Sequence, residues 1–355
     1  MNLLDQMNDK QQEAITTTEG PLLILAGAGS GKTTVLVKRI AYIVEQGLAE
    51  PWQILAITFT NKAANELKER LALWVGEDAH GVEWAGTFHS ICARILRRDG
   101  SSLGYSSHFT IYDTDDSKRI MKECQRLLGI DDKLISHKSI LSEISRAKDN
   151  LITPEEYESI NQNDPRLRKY AEAYKLDQQL LLQADAMDFD DIIVNTVKLL
   201  RTDSTIREKY QARFKYVHVD EYQDTNHAQY VLTSLLAGGY NNICVVGDDD
   251  QSIYKFRGAT IENIMDFEKN YKNAKMIRLE QNYRSTGNIL NAANAVIKNN
   301  TERKGKNLWT AAGDGELITL YTADSEIEEG MYIAEEISSS VSAGKSFSDH
   351  AILYR

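Results

Sequence analysis

Three cysteines in 355 residues, Cys92, Cys124 and Cys244, are too few, too dispersed and odd in number for a disulfide framework, and no C-x-x-C pair offers half a zinc site. His89 and Cys92 stand one helical turn apart, but no second pair accompanies them, so plain buried thiols without a metal are expected. No apolar run approaches the roughly 20 residues that cross a bilayer, and the opening stretch Met1 to Asn8 lacks the basic start of a secretory signal. A cytoplasmic protein without a membrane partner is the expectation. Positive charge is also short: 41 Lys and Arg face 52 Asp and Glu, a net charge of −11. That balance excludes coating of nucleic acid by bulk electrostatics, so any nucleic-acid contact has to be local. Neither an internal repeat nor a low-complexity tract beyond Ser338 to Ser340 is present.

What remains is the composition of an ordinary globular chain, 42% hydrophobic and 26% charged, long enough for two or three domains. Apolar, β-branched runs of strand length recur at Leu22 to Leu25, Ile54 to Ile57, Tyr216 to Val219, Ile243 to Val246 and Met276 to Leu279, each ending in a polar cluster. Helical patterns separate most of them, which predicts a parallel sheet covered on both faces, with ligands beyond the carboxyl ends of its strands. Between residues 108 and 184 the strand signal stops. Amphipathic stretches at Ser117 to Leu128, Lys138 to Ala147 and Arg166 to Gln183, punctuated by Pro154 and Pro165, predict a helical subdomain inserted into a sheet domain made of residues 1–107 and 185–277. A second α/β unit is expected from about Lys275, occupying 278–355 and ending in the strand-like run Ala351 to Arg355.

Residues 26 to 33, Ala-Gly-Ala-Gly-Ser-Gly-Lys-Thr, lie between the first apolar run and a helical pattern beginning near Val35. A strand, a glycine loop and a helix in that order make a triphosphate cradle. Backbone N–H groups and the positive helix end face the phosphates, and glycines allow close approach of the main chain. Ala28, Gly29, Ser30, Gly31, Lys32, Thr33 and Thr34 would surround the phosphates, with Lys32 on the β- and γ-phosphates and the Thr33 hydroxyl on Mg²⁺. Ala26 stands where the strict motif has its first glycine. Asp220 and Glu221 follow the strand Tyr216 to Val219, where a P-loop enzyme keeps its acidic pair. Asp220 would hold Mg²⁺, and Glu221 would orient or deprotonate the attacking water. The stretch Gly247 to Gly258 adds an amide, Gln251, suited to sensing the γ-phosphate, and two rings, Tyr254 and Phe256. Such rings can stack on exposed bases, at about 1–3 kcal/mol per base, or pack on their own core.

Seven segments in order carry a resemblance: Asn8 to Ala14, Ala26 to Thr33, Thr58 to Ala64, Gly86 to Ser90, Asp220 to Thr225, Gly247 to Gly258 and Gln281 to Thr286. Over its whole length the sequence resembles the UvrD/Rep/PcrA group of superfamily-one DNA helicases. The resemblance implies two RecA-like domains with ATP and Mg²⁺ between them and single-stranded DNA across both. It assigns Gln11 to the adenine edge, Arg39 and Tyr283 to a sandwich around the base, and Arg284 to the γ-phosphate as an arginine finger. For DNA it points to Phe59, Asn61, His89, Tyr254, Phe256 and Arg257, with Phe256 where close relatives often carry Trp. It further implies 3′-to-5′ movement, single-strand/double-strand junctions as substrate, and accessory proteins of repair or replication as partners. The family's later motifs, including another γ-phosphate arginine and a second helical insert, have no counterpart here, so an amino-terminal portion, impaired alone, is expected. A GTPase or small-molecule kinase is the competing enzyme class, although Asn61-Lys62 is followed by Ala63-Ala64 and not by the x-Asp that reads guanine. An ATP-driven remodeller that strips proteins from DNA, an ATP-switched binding module and a helicase-nuclease subunit also stay open.

Overall fold

The computed structural model describes residues 3–75, 82–301 and 303–354. Six strands form one parallel sheet: β1 (Leu22–Ala26), β2 (Ile54–Thr58), β3 (Trp84–Thr87), β6 (Tyr216–Val219), β7 (Ile243–Gly247) and β8 (Lys275–Leu279), in the spatial order β3-β2-β6-β7-β1-β8. Two short strands, β4 (Thr110–Ile111) and β5 (Ala186–Met187), pair in parallel outside it. Alternate residues of the sheet enter different cores. Leu23, Leu55, Ile57, Val217 and Val245 pack with the helices Phe88–Asp99, Phe189–Thr202 and His227–Ala237. Their neighbours Leu22, Ile24, Ala56, Tyr216 and Val246 pack against Asp9–Thr16, Lys32–Glu45 and Asn61–Val75. Burial on both faces is why these strands read as continuous apolar runs. β3 was not legible as a strand, because Trp84-Ala-Gly-Thr87 carries two residues of low strand propensity and is ordered by pairing along β2.

Between β4 and β5 the chain forms a run of helices. These include Thr114–Leu128, His137–Asp149, Pro154–Ile160 and Pro165–Gln183, built around a core of Met121, Ile140, Ile144, Tyr157, Tyr170 and Tyr174. Pro154 and Pro165 both open a helix, at the position where a missing N–H costs nothing. The three free cysteines are divided one to each core, Cys92, Cys244 and Cys124, so no two can meet. Burial pushes the Cys92 thiol up to about 12, in keeping with an inert thiol.

One expectation is corrected. β8 was assigned to the start of a second α/β unit, but it pairs with β1 from Lys275 through Leu279 and forms the edge of the first sheet. Beyond it the described residues contain helices Gly287–Ile297 and Glu326–Ser342 and one isolated bridge, Gln281 to Trp309. The strand-like run around Leu353 is unpaired among the described residues, with that side chain 94% exposed. Hydrophobic pattern alone does not make a strand; the backbone needs a neighbour to bond.

Lys148 welds the insertion to the sheet domain. Its ammonium is fully buried, 2.7 Å from both Asp188 and Asp191 at the start of the helix Phe189–Thr202. Burial works to lower its pKa, but the Asp188 and Asp191 charges outweigh this and hold it well above the ordinary value. Removing one partner of such a buried pair strands the others. Lys148→Ala is therefore expected to cost about 3–5 kcal/mol of stability, read as a lower urea midpoint, whereas a loss below about 1 kcal/mol would show that water reaches these carboxylates.

Candidate nucleotide site and nucleic-acid interface

β1 lies between β7 and β8, so its carboxyl end opens onto loops from both neighbours and, one strand further, onto the end of β6. Gly29 and Gly31 take left-handed φ values of 69° and 84°, which turn the chain from β1 into the helix Lys32–Glu45. A Cβ on Gly29 would lie 2.6 Å from Asn282 Nδ2 and 2.8 Å from Arg284 Cβ. That closeness reflects a strap: after β8 the chain lies on the glycine loop, Tyr283 donating its N–H to the Gly29 carbonyl at 2.9 Å and Asn282 its side-chain amide to the Ala28 carbonyl at 2.6 Å.

A cleft of about 420 Å³ results, lined by Ala28, Gly29, Gly31, Lys32, Thr33, Thr34, Glu221, Gln251, Tyr283 and Arg284. Four separate sequence segments thus meet in one place. Lys32 Nζ donates to Glu221 Oε2 at 3.1 Å. From there a chain of bonds runs on. Gln223 donates to the same Glu221 oxygen at 2.9 Å, the Asp248 N–H donates to Gln223 Oε1 at 2.9 Å, and Gln251 donates to Asp248 at 2.6 Å. Glu221 itself sits at φ 47° and ψ 43°, a left-handed conformation costing a non-glycine residue about 1–2 kcal/mol. Strain at a residue with a free carboxylate edge, held by a lysine, is typical of a working site.

Three carboxylates, Asp220, Glu221 and Asp224, gather around one ammonium. Burial and the Glu221 charge push Asp220 up to about 6, and the same two causes push Asp224 up to about 6. Such a concentration of carboxylates, one of them buried, suits a divalent cation beside Thr33. The other acidic cluster, Asp248, Asp249 and Asp250, has the geometry of a cation site among the described residues. Lys306 fills that role, with its ammonium 2.5, 2.5 and 2.6 Å from the three carboxylates.

One residue expected at the base lies elsewhere in the structure. Arg39 does not face the cleft. It is 1% exposed, and its guanidinium donates to the carbonyls of Ala14, Thr17 and Thr18, capping the carboxyl end of the helix Asp9–Thr16. Position on the helix decides this: Arg39 points under the loop, whereas Thr34 lines the cleft. Gln11 is also buried, its Nε2 on the Ser30 carbonyl at 3.0 Å and its Oε1 accepting from the Asn8 N–H at 3.1 Å. Ser30 is buried too, its hydroxyl donating to the Gly27 carbonyl at 2.7 Å. Ser30 supports the loop from beneath, and Gln11 links the loop to Tyr283, whose hydroxyl donates to its Oε1 at 3.5 Å. Sequence reasoning missed Glu66 and Arg70, which line the cleft from the helix Asn61–Val75 and pair at 2.5 Å. Their i, i+4 spacing following the Thr58 to Ala64 segment was the available signal.

The residues assigned to DNA divide between two hollows at the carboxyl ends of the strands. Phe59, Asn61 and His89, after β2 and β3, share a groove with Phe189, which sequence reasoning also missed. Phe189 is half exposed and meets His89 edge-on at 5.3 Å. Burial outweighs the neighbouring Asp188 charge and lowers the His89 pKa, keeping the ring uncharged at neutral pH. Tyr254 and Phe256 stand on the loop after β7, two strands from β2, with ring centres 6.0 Å apart and Phe256 77% exposed. The Arg257 side chain lies outside the described residues.

Comparison with known proteins gives a consistent result. The profile described as UvrD/REP helicase N-terminal domain matches residues 7–272, and that of the UvrD-like helicase C-terminal domain matches 277–355. ATP-dependent DNA helicase PcrA of Staphylococcus epidermidis is 51% identical over 353 residues, covering 99% of this chain and 48% of the relative. The protein of the same name from Staphylococcus aureus is 50% identical over the same span. The chain spans about half the length of these relatives.

The burial pattern separates support from contact. Arg39→Ala leaves three carbonyls without their donor, at about 1–3 kcal/mol for each that stays buried, so it should lower the unfolding midpoint while the folded protein keeps its nucleotide affinity. Arg70→Ala should do the reverse. Equal loss of affinity in both variants, by titration with a fluorescent ATP analogue, would restore Arg39 to the cleft.

Proposed function

Because the chain belongs to the UvrD/REP helicase family, we propose that it carries the ATP-hydrolysing part of a DNA helicase that moves 3′ to 5′ along one strand and separates duplex at single-strand/double-strand junctions. The observation that carries this reading is the 3.1 Å contact between Lys32 of the glycine loop and Glu221 after β6. With Arg284 and Gln251 lining the same cleft, this contact supports a reading in which Lys32 binds phosphate and Glu221 activates the attacking water.

In this mechanism Lys32 exchanges its bond to Glu221 for the β- and γ-phosphates, which frees the Glu221 carboxylate to accept a proton from water aligned with the γ-phosphorus. Arg284 stabilises the charge that develops on the transferred group. Thr33 and Asp220 would hold Mg²⁺, which supplies neutralisation of the phosphate oxygens when bound. Tyr283 would offer one face to the adenine, and Arg70, a cation lining the same cleft, would take the opposite face in place of the buried Arg39.

Coupling follows from connectivity. Gln251 is joined to Glu221 through Asp248 and Gln223, and three residues later the same loop presents Tyr254 and Phe256. Loss of the γ-phosphate at one end therefore alters the support of stacking rings at the other, a two-state element biased by ligand. A place in repair or replication, with accessory proteins and a cytoplasmic setting, belongs to the same reading.

Lys32→Ala should lower single-strand-stimulated ATP turnover by about 10²–10³-fold, the scale for losing one charge-stabilising donor. Glu221→Gln should bind ATP with near-normal affinity and fail to hydrolyse it. Turnover at the unmodified rate in Glu221→Gln, measured by phosphate release with and without single-stranded DNA, would remove Glu221 from the chemistry.

A further inference from the structure

The groove that holds Phe59, Asn61 and His89 does not end with them. It has a volume of about 780 Å³ and continues along the helix Phe88–Asp99, where Arg94, Arg97 and Arg98 line it, with no carboxylate among the described lining residues. In a chain with 52 acidic and 41 basic residues, that is a local reversal of sign. The hollow beneath Phe256 is mixed instead, with Asp149, Asp190, Asp249, Asp250 and Glu262 alongside Arg146, Lys255 and Arg303 in its wall. Spacings of three and four put the arginines on one helix face. The nine-residue step from His89 to Arg98 spans about 14 Å at 1.5 Å per residue.

The three side chains are committed to different degrees. Arg94 donates to the Glu83 carbonyl at 2.8 Å, bonds the Glu83 carboxylate and lies 4.4 Å from the centre of the Trp84 ring. Arg98 stands 3.9 Å from that same carboxylate with its side chain 47% exposed, and Arg213 reaches it at 3.2 Å. One carboxylate thus serves three guanidiniums and leaves charge over. Arg97 is exposed and lies over the Phe109 ring at 5.5 Å, without a carboxylate partner among the described residues. A planar cation braced on a ring, with its edge toward solvent, is well suited to a phosphodiester.

We propose that Arg97 and Arg98, with Arg94 behind them, bind the phosphate backbone of single-stranded DNA where it continues from Phe59, Asn61 and His89. This rests on the reading above that the groove receives a single strand. Rings and the amide at the strand ends contact the bases, and the helix contacts the backbone. The track also supplies the local attraction that a chain of net charge −11 otherwise lacks.

The salt dependence of binding tests it. Each phosphate neutralised on a single strand contributes about 0.7 to the slope of log affinity against log salt. With a fluorescein-labelled oligothymidylate titrated by anisotropy between roughly 50 and 200 mM salt, the Arg97→Gln/Arg98→Gln double variant should lose about 1.4 from that slope. Arg97→Gln alone should lose about half as much. Phe256→Ala, a stacking variant, should weaken binding and leave the slope unchanged. A double variant that folds, by an unaltered melting transition, and keeps the unmodified slope overturns the proposal. Failure of the unmodified chain to hold the oligonucleotide at all overturns the single-strand reading, and this one with it.

Discussion

The contact between Lys32 and Glu221 depends on β7 separating β1 from β6 by a single strand. Adjacent strands lie about 4.8 Å apart, so the two loops start about 10 Å from one another, a span that an extended lysine and a glutamate can close between them. The strained backbone at Glu221 holds because Lys32 and Gln223 both bond its carboxylate.

Two buried lysines answer the acidity of the chain in a related manner. Lys148 ties the helical insertion to the helix after β5, and Lys306 ties its own segment to the carboxylates after β7. For Lys306, burial works to lower the pKa and the Asp248, Asp249 and Asp250 charges outweigh it, so the ammonium stays charged. Each site removes several like charges from solvent and is costly to disrupt, because the partners left behind cannot be rehydrated without opening a core. The acidic residues that set the overall charge are therefore partly internal, and overall charge is a poor guide to the sign of a given surface.

That point bears on the proposed DNA path. Arg94, Arg97 and Arg98 share one helix face beside rings and small polar groups, while the carboxylates near Phe256 lie in a different hollow. A strand crossing the carboxyl ends of β2 and β3 would meet base-stacking surface and then positive charge, in that order. Attraction of this kind acts within about 10 Å at moderate ionic strength, short enough for a local patch to matter in an acidic protein.

Much of the architecture was legible in the sequence, since apolar runs ending in polar clusters mark parallel strands, and the amphipathic periods within 108–184 mark its helices. The glycine loop and the Asp220-Glu221 pair stood out as local patterns at strand ends, whereas the roles expected of the Gln281 to Thr286 segment came only from the family resemblance. Three things were decided by tertiary structure alone. Arg39 and Arg70 both read as helical cations, and only the packing of their helices turns the first under the loop and the second into the cleft. β8 reads as any strand would, and its membership of the first sheet follows from pairing with β1, an interaction across more than two hundred residues of sequence. The arginine face becomes a groove only when Phe59, His89 and Phe189 are brought beside it by strand order, because a pattern along the chain specifies which side of an element is apolar and does not specify what that side, or the other, will meet.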